Sequence, residues 1–306
     1  MLKKFTLFFL WVTVPGFSQC FDGFQIGSYH VVSIKSDGSL WGWGSSDFGQ
    51  LSNTNLINPT PFQLSPAADW TKATVSNYNT FIIKNNGTLW AMGDGRFGLL
   101  GNGTTTTINP TLQQIGIATN WQKISASTQM TIGLKTDGTI WGWGQNDQYE
   151  MGNNTCCANQ LTPIQIGTAN HWVDIESTSM GASAFALKND GTIWGWGLNT
   201  GGLLADNTVM ARSVPTQLNA DTDWASIHVG VAHILALKTN GTLWSWGGGN
   251  MAKQVMVCLL HYIVRILDKL VLTLGLKYLL DGKYPLELNP MVPCGLGDLM
   301  MLGNLE

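Results

Sequence analysis

One stretch of eleven residues returns five times along this chain of 306. Residues 134–144 read Leu-Lys-Thr-Asp-Gly-Thr-Ile-Trp-Gly-Trp-Gly, and residues 34–44, 83–93, 187–197 and 237–247 repeat the pattern with small changes. The first Trp of each copy (Trp41, Trp90, Trp141, Trp194, Trp244) follows the one before by 49, 51, 53 and 50 residues. A fixed period of this length marks one supersecondary unit stacked on its own copies, because a single unit cannot bury its apolar face alone.

Asp-Gly or Asn-Gly between two apolar runs is a strong hairpin signal, and a two-residue type I′ turn needs positive φ at both central residues. Gly38, Gly87, Gly138, Gly191 and Gly241 are therefore expected at positive φ in such turns. Trp194 and Trp196 fall on one face, since strand side chains alternate. Gly195 between them is expected to let another backbone approach on the opposite face. A buried Trp covers roughly 150–250 Å². At about 25 cal/mol per Å² that is roughly 4–6 kcal/mol of gross burial per ring, so the rings are expected in the core rather than against a ligand.

Only 11% of the residues are charged and 36 are glycine, which suits a turn-rich all-β repeat protein and argues against disorder. Residues 1–18 read as a secretory signal peptide. Lys3 and Lys4 form the basic start, residues 5–14 are an apolar run too short to span a bilayer, and Gly16 and Ser18 are the small residues before cleavage. Removing both lysines takes the formal charge from −3 to −5. That leaves no basic footprint for nucleic acid. Gln19 stands where a lipoprotein signal places a small residue, so Cys20 is not expected to be lipidated.

Over residues 21–247 each unit offers four short strands; in the third these are 122–126, 131–135, 139–144 and 163–167. Four units close on Trp70, Trp121, Trp172 and Trp224, and three of these have a Pro nine residues earlier: Pro61, Pro163 and Pro215. A proline suits an outer strand, where no ladder donor is needed. Four strands in about 50 residues is the size of a propeller blade.

The units resemble the regulator of chromosome condensation (RCC1-like) repeat family, whose pattern runs Ala-Leu-Lys-x-Asp-Gly-x-Trp-x-Trp-Gly-x-Asn-x-x-Gly-Gln-Leu-Gly. Gly44, Asp47, Gly49, Gln50 and Leu51 match its tail, as do Gly93, Gly98, Leu100 and Gly101. The third unit departs with Tyr149 and Glu150 where Gly and Gln are usual, and His30 and His233 match a His sometimes seen before the Lys. The resemblance implies a β-propeller, usually of seven blades, and includes secreted propellers that bind other proteins, such as a β-lactamase-inhibitor propeller. It implies much less about activity, because the fold hosts unrelated functions.

Beyond Asn250 the repeat stops. Residues 255–280 hold no Trp and are rich in Leu, Val and Ile, while His261, Arg265, Asp268 and Lys269 argue against a membrane span. The tail, residues 251–306, reads as repeat sequence in a shifted frame. With permitted codons, Asn-Gly-Thr-Leu-Trp-Ala-Trp-Gly read one nucleotide later gives Met-Val-Pro-Cys-Gly-Leu-Gly and then Asp or Glu, and residues 291–298 carry that run. Residues 277–284 hide Lys-Ile-Ser-Ala-Gly-Trp-Lys-Ile in the same way. The expected fold is an all-β propeller of four-stranded blades over residues 21–250, incomplete at four blades and part of a fifth. An open ring leaves strand edges and apolar surface exposed, which favours aggregation.

No catalytic signature appears, and no cofactor or metal is expected. Asp37, Asp137 and Asp190 read as turn formers, and nothing selects a carboxylate pair. The glycine runs lack a phosphate-loop lysine and a following helix. Cys156 and Cys157 are adjacent and can be either a vicinal disulfide or two thiols; Cys258 and Cys294 lie in the tail. Positions that vary between blades on loops are candidates for recognition. The loop after Trp-x-Trp-Gly varies most, with Asp47 and Phe48, then Arg96 and Phe97, then Asp147 and Gln148, then Thr200 and Gly201. Aromatic and Arg residues are favoured interface anchors. The expected function is a secreted or cell-surface scaffold that binds a protein or a surface glycan without catalysis. The alternative is an extracellular propeller enzyme with a carboxylate pair on the central face. The signal peptide and acidic charge argue against the nucleotide-exchange or chromatin role of the eukaryotic family.

Overall fold

A computed structural model describes residues 23–52, 55–179 and 181–248. The expected signal segment, Cys20, Cys258, Cys294 and the tail lie outside the described residues. The first blade is β1 (Gln25–Ile26), β2 (His30–Ile34), β3 (Leu40–Ser45) and β4 (Ile57–Ser65). The second is β5 (Trp70–Val75), β6 (Asn79–Lys84), β7 (Leu89–Gly93) and β8 (Asn109–Gln114). The third is β9 (Trp121–Ala126), β10 (Met130–Lys135), β11 (Ile140–Gly144) and β12 (Gln160–Gln165). The fourth is β13 (Trp172–Ser177), β14 (Ser183–Lys188), β15 (Ile193–Gly197) and β16 (Arg212–Gln217). Three described strands of a fifth follow: β17 (Trp224–Val229), β18 (His233–Lys238) and β19 (Leu243–Gly247).

Each blade is an antiparallel sheet in sequence order, so successive strands are joined by short local connections. The first strands neighbour one another, β5 against β9, β9 against β13 and β13 against β17, and they line the axis. Trp70, Trp121, Trp172 and Trp224 open these inner strands rather than closing the unit before. The fourth strands lie outside and carry Pro61, Pro110, Pro163 and Pro215, on the edge where a missing N–H breaks no ladder. The described blades form an open arc.

The cores lie between blades. Met130, Ile132, Leu134 and Ile140 of the third blade pack on Trp172, Ala184, Ala186 and Trp196 of the fourth. The second Trp of the repeat also clamps the blade before it. Trp143 Nε1 donates to the Leu99 carbonyl (2.9 Å), Trp196 Nε1 to that of Glu150 (2.8 Å) and Trp246 Nε1 to that of Leu203 (2.9 Å). The second blade has Met92 at this position, and Thr80 Oγ1 instead reaches the corresponding Gln50 carbonyl at 2.7 Å. Side chains, not a backbone, cover Gly195: a Cβ there would meet Leu204 and Leu218 at 2.8 and 3.0 Å.

All five repeat glycines have positive φ, between 74° and 82°. The turn is nevertheless not type I′, because none of Asp37, Asn86, Asp137, Asp190 and Asn240 has positive φ. Gly38 N–H bonds the Lys35 carbonyl and Lys35 N–H bonds the Ser39 carbonyl, which is a three-residue loop with glycine in the left-handed bulge position. The acidic or amide residue serves as an acceptor instead. Asp137 Oδ1 takes the Thr139 N–H at 3.0 Å and its hydroxyl at 2.6 Å, and that hydroxyl in turn accepts Trp141 Nε1–H at 2.9 Å. Lys135 Nζ lies 3.6 Å from the centre of the same indole. One relay thus explains why Lys, Asp, Thr and Trp recur together.

Each turn also seats the next blade. The Trp172 N–H donates to the Gly138 carbonyl, and a Cβ on Gly138 would lie 2.2 Å from the Asn170 carbonyl oxygen. At Gly241 nothing lies within 4 Å among the described residues. Around it Leu243 is 39% and Trp244 49% exposed, whereas Leu40, Leu89, Ile140 and Ile193 at the Leu243 position are buried.

Candidate binding face

Sequential antiparallel strands put the first–second turn and the third–fourth loop of every blade on one side. In the first two blades that side carries a continuous aromatic and guanidinium patch. Tyr29 stacks on Tyr78 (centroids 5.3 Å apart, planes 7° apart), and Phe48 leans on Tyr78 at 4.6 Å. The Arg96 guanidinium lies 5.0 Å from the Phe48 centroid. Tyr29 is 52% and Phe97 42% exposed, while Phe48 and Tyr78 are half-buried. The hydrogen bond with Tyr29 raises the Tyr78 pKa above the ordinary phenol value.

Arg96 is held from below. Its Nε reaches Asp94 Oδ1 and Oδ2 at 3.0 and 2.9 Å and its Nη2 reaches Oδ2 at 2.6 Å, and this contact raises the guanidinium pKa further. Asp94 is buried, so the fork is fixed and its charge balanced. Beneath the rings runs a second buried chain. His30 Nε2 meets Thr80 Oγ1 at 2.9 Å, Thr80 Oγ1 donates to the Gln50 carbonyl, and Phe48 N–H donates to Gln50 Oε1 at 2.9 Å. Burial lowers the His30 pKa to about 4, so the imidazole is neutral and shares its Nε2 proton with Thr80. His233, half-buried in the fifth blade, is lowered by burial too.

Of the residues picked from sequence, the structure brings Phe48 and Arg96 into contact and leaves Phe97 exposed nearby in the loop. Asp47 is exposed at the rim, its carboxylate accepting from Ser45 Oγ. Asp147 and Gln148 are exposed but belong to the third blade, apart from the patch. Thr200 and Gly201 are exposed in the fourth. Tyr29 and Tyr78 were missed. The same blade-to-blade comparison finds them, since the residue before the variable His position is Tyr29, Tyr78, Gln129, Ala182 and Ala232 in turn.

The third blade's departures from the repeat are accommodated without a new site. Tyr149 takes the left-handed conformation (φ 63°) in place of glycine. Glu150 is fully buried and copies Gln50, with Oε2 accepting the Gln148 N–H at 2.7 Å. Burial raises its pKa, while Oε1 finds no hydrogen-bond partner. A carboxyl whose folded pKa is raised loses stability as pH climbs from the unfolded pKa through the folded one. Glu150→Gln is therefore expected to stabilise the chain by about 1 kcal/mol at neutral pH, read as a raised melting temperature, and to flatten the fall of stability as pH rises past the ordinary carboxyl range. Cys156 and Cys157 are joined as a vicinal disulfide in an exposed loop.

Near the axis, Asp174 and Glu176 are the carboxylate pair that no sequence signal selected. Lys123 Nζ bridges them at 2.6 and 2.9 Å, and Ser125 Oγ meets Ser177 Oγ at 2.9 Å beside it. Burial raises the Glu176 pKa despite the lysine. With both acids engaged by one ammonium from the preceding blade, the group is an inter-blade clamp. No cluster of three metal-ligating side chains occurs among the described residues, and no helix among them is long and apolar enough to cross a membrane.

Two models described as the regulator of chromosome condensation (RCC1) repeat match the chain, one over residues 24–50 and one over 137–182 and 190–237. The chain carries RCC1 repeats. Among curated relatives, the ultraviolet-B receptor UVR8 of Arabidopsis thaliana is 24% identical over 223 residues, covering 68% of this chain and 49% of that protein. The human probable E3 ubiquitin-protein ligase HERC6 is 27% identical over 113 residues, 37% of this chain and 11% of that one. The RCC1-repeat chain thus spans about half the length of the plant relative and about a tenth of the human one. Among solved structures, Prp20p of Saccharomyces cerevisiae superposes with a TM-score of 0.64 at 22% identity, over 74% of this chain and 57% of that one. Human WBSCR16 gives 0.62 at 16% identity, over 72% and 60%. These likenesses bear on the fold alone.

Proposed function

We propose that this chain is a secreted or cell-surface propeller scaffold that acts by binding another protein or surface ligand and not by catalysis. The observation that carries this reading is the exposed patch of Tyr29, Phe48, Tyr78 and Arg96. It is assembled from loops that differ between blades, while the residues shared by all blades go into turns and inter-blade cores. Tyr and Arg at the centre of a contact supply most binding energy in protein interfaces. The solved relative Prp20 was captured bound to another protein, Kap60. An acidic formal charge of −3 supports a partner other than nucleic acid.

The test is capture from the native surroundings with the full chain and with a Phe48→Ala, Arg96→Ala double variant. The double variant is expected to lose its captured partner; it is also expected to melt lower, because Arg96→Ala leaves the buried Asp94 carboxylate unpaired, so capture is compared at a temperature where both proteins are folded. Equal capture by both proteins would reject the face. Turnover in a hydrolase panel that disappears in Glu176→Gln would replace the binding reading with the enzymatic one.

A further inference from the structure

Three Asn-Gly pairs occur among the described residues: Asn86-Gly87, Asn102-Gly103 and Asn240-Gly241. Asparagine before glycine is chemically labile, because no Cβ shields the glycine nitrogen from the asparagine side-chain carbonyl carbon. Two of the pairs are matched. Residues 86–90 and 240–244 both read Asn-Gly-Thr-Leu-Trp and fold into the same turn. Gly87 and Gly241 each donate to the carbonyl of the Lys three residues before, at 2.9 Å. Asn86 and Asn240 Oδ1 accept the Thr N–H at 3.1 and 3.0 Å, and each takes the Thr hydroxyl at 2.7 Å.

What differs is the neighbour. The Gly87 carbonyl accepts the Trp121 N–H of the third blade at 3.1 Å, and a Cβ on Gly87 would overlap the Thr119 carbonyl oxygen. Thr88 and Leu89 are buried beside it. Residues 240–244 are all exposed. In the third pair, Gly103 N–H donates to the Leu161 carbonyl of the third blade at 2.9 Å. Attack on the asparagine needs the glycine N–H to leave its acceptor and the side chain to leave the threonine, so its rate follows how often the turn opens. We propose that Asn240 is a site of spontaneous modification, converted by water to aspartate and isoaspartate, while the third blade protects the matching Asn86.

Gly241 N bonds to Asn240 Cγ, the Cγ–Nδ2 bond breaks, and ammonia leaves with the proton of the Gly241 amide. Water then opens the cyclic imide at either carbonyl, returning a proton to the nitrogen and leaving a carboxyl group. Opening at Cγ gives aspartate, the residue that Asp37, Asp137 and Asp190 supply in three other turns. Opening at the main-chain carbonyl gives isoaspartate, which routes the backbone through the side chain. That product removes the acceptor on which Thr242 Oγ1 and, through it, Trp244 Nε1 depend.

The full chain is incubated folded above neutral pH, and a parallel sample is kept in guanidinium chloride. Both are followed by peptide mapping with mass spectrometry. In denaturant Asn86 and Asn240 are expected to convert equally fast, since the same five residues surround the reaction. In the folded chain Asn240 is expected to convert at least about tenfold faster than Asn86 or Asn102. Thr242→Val, which frees the Asn240 side chain, is expected to speed conversion there and leave Asn86 unchanged. A folded chain in which Asn240 converts no faster than Asn86 or Asn102 overturns the proposal.

Discussion

Gly138→Val is expected to destabilise the chain by about 5 kcal/mol, and Gly241→Val by only about 2 kcal/mol. Both residues have positive φ, 75° and 82°, so both substitutions strain the backbone to a similar degree. The difference lies in what stands opposite. A Cβ on Gly138 would meet the Asn170 carbonyl at 2.2 Å, and the same turn seats the first N–H of β13. Relieving that overlap means moving the fourth blade off the third, while Gly241 has nothing within 4 Å among the described residues. For a domain of this size the gap corresponds to roughly 10 °C in melting temperature. Equal losses at the two sites would mean that only φ matters and that the turns do not seat the blades.

Acidification is expected to remove up to about 3 kcal/mol through His30 alone. Its folded pKa is about 4, against 6.5 for the unfolded side chain. Between those values the unfolded chain binds the proton that the folded one excludes, so stability falls as pH drops from 6.5 and the loss is complete below pH 4. Above pH 6.5 the group contributes no pH dependence. Asp37, Asp137, Asp190 and Asp206 also lose stability in acid, since hydrogen bonds from Ser39, Thr139, Thr192 and Thr208 hold their pKa values down. The His30→Asn variant separates the terms, because Asn79 already fills the equivalent place in the second blade. Denaturant melts of the two proteins should converge at neutral pH and diverge near pH 4, with the variant falling less. Parallel pH profiles would contradict a neutral buried His30.

The blade was legible because its determinants are local and repeated. The third unit's strands, expected at 122–126, 131–135, 139–144 and 163–167, stand at Trp121–Ala126, Met130–Lys135, Ile140–Gly144 and Gln160–Gln165. Only the outer strand moved noticeably, starting three residues early, since an edge strand has one partner to fix its ends. The turn type was misread because Asp-Gly specifies a glycine at positive φ but not the conformation before it. What settles that conformation is the Asp–Thr–Trp relay, which joins residues two apart that a turn rule does not consider. The patch was half legible. Phe48 and Arg96 stood out as anchors in variable loops, but their contact crosses a blade boundary, and so does the stack of Tyr29 on Tyr78. The clamp of Lys123 on Asp174 and Glu176 was invisible for the same reason, its members lying 51 and 53 residues apart.

The indole N–H bonds to Leu99, Glu150 and Leu203 all run backward, from a blade to the one before it. Each such bond couples two neighbouring blades. A blade can form its own hairpins alone, but its second Trp finds an acceptor only once the preceding loop is in place. Among the described residues the first and fifth blades each have one neighbour, so these end blades are expected to open before the middle ones, as for units coupled to nearest neighbours in one dimension.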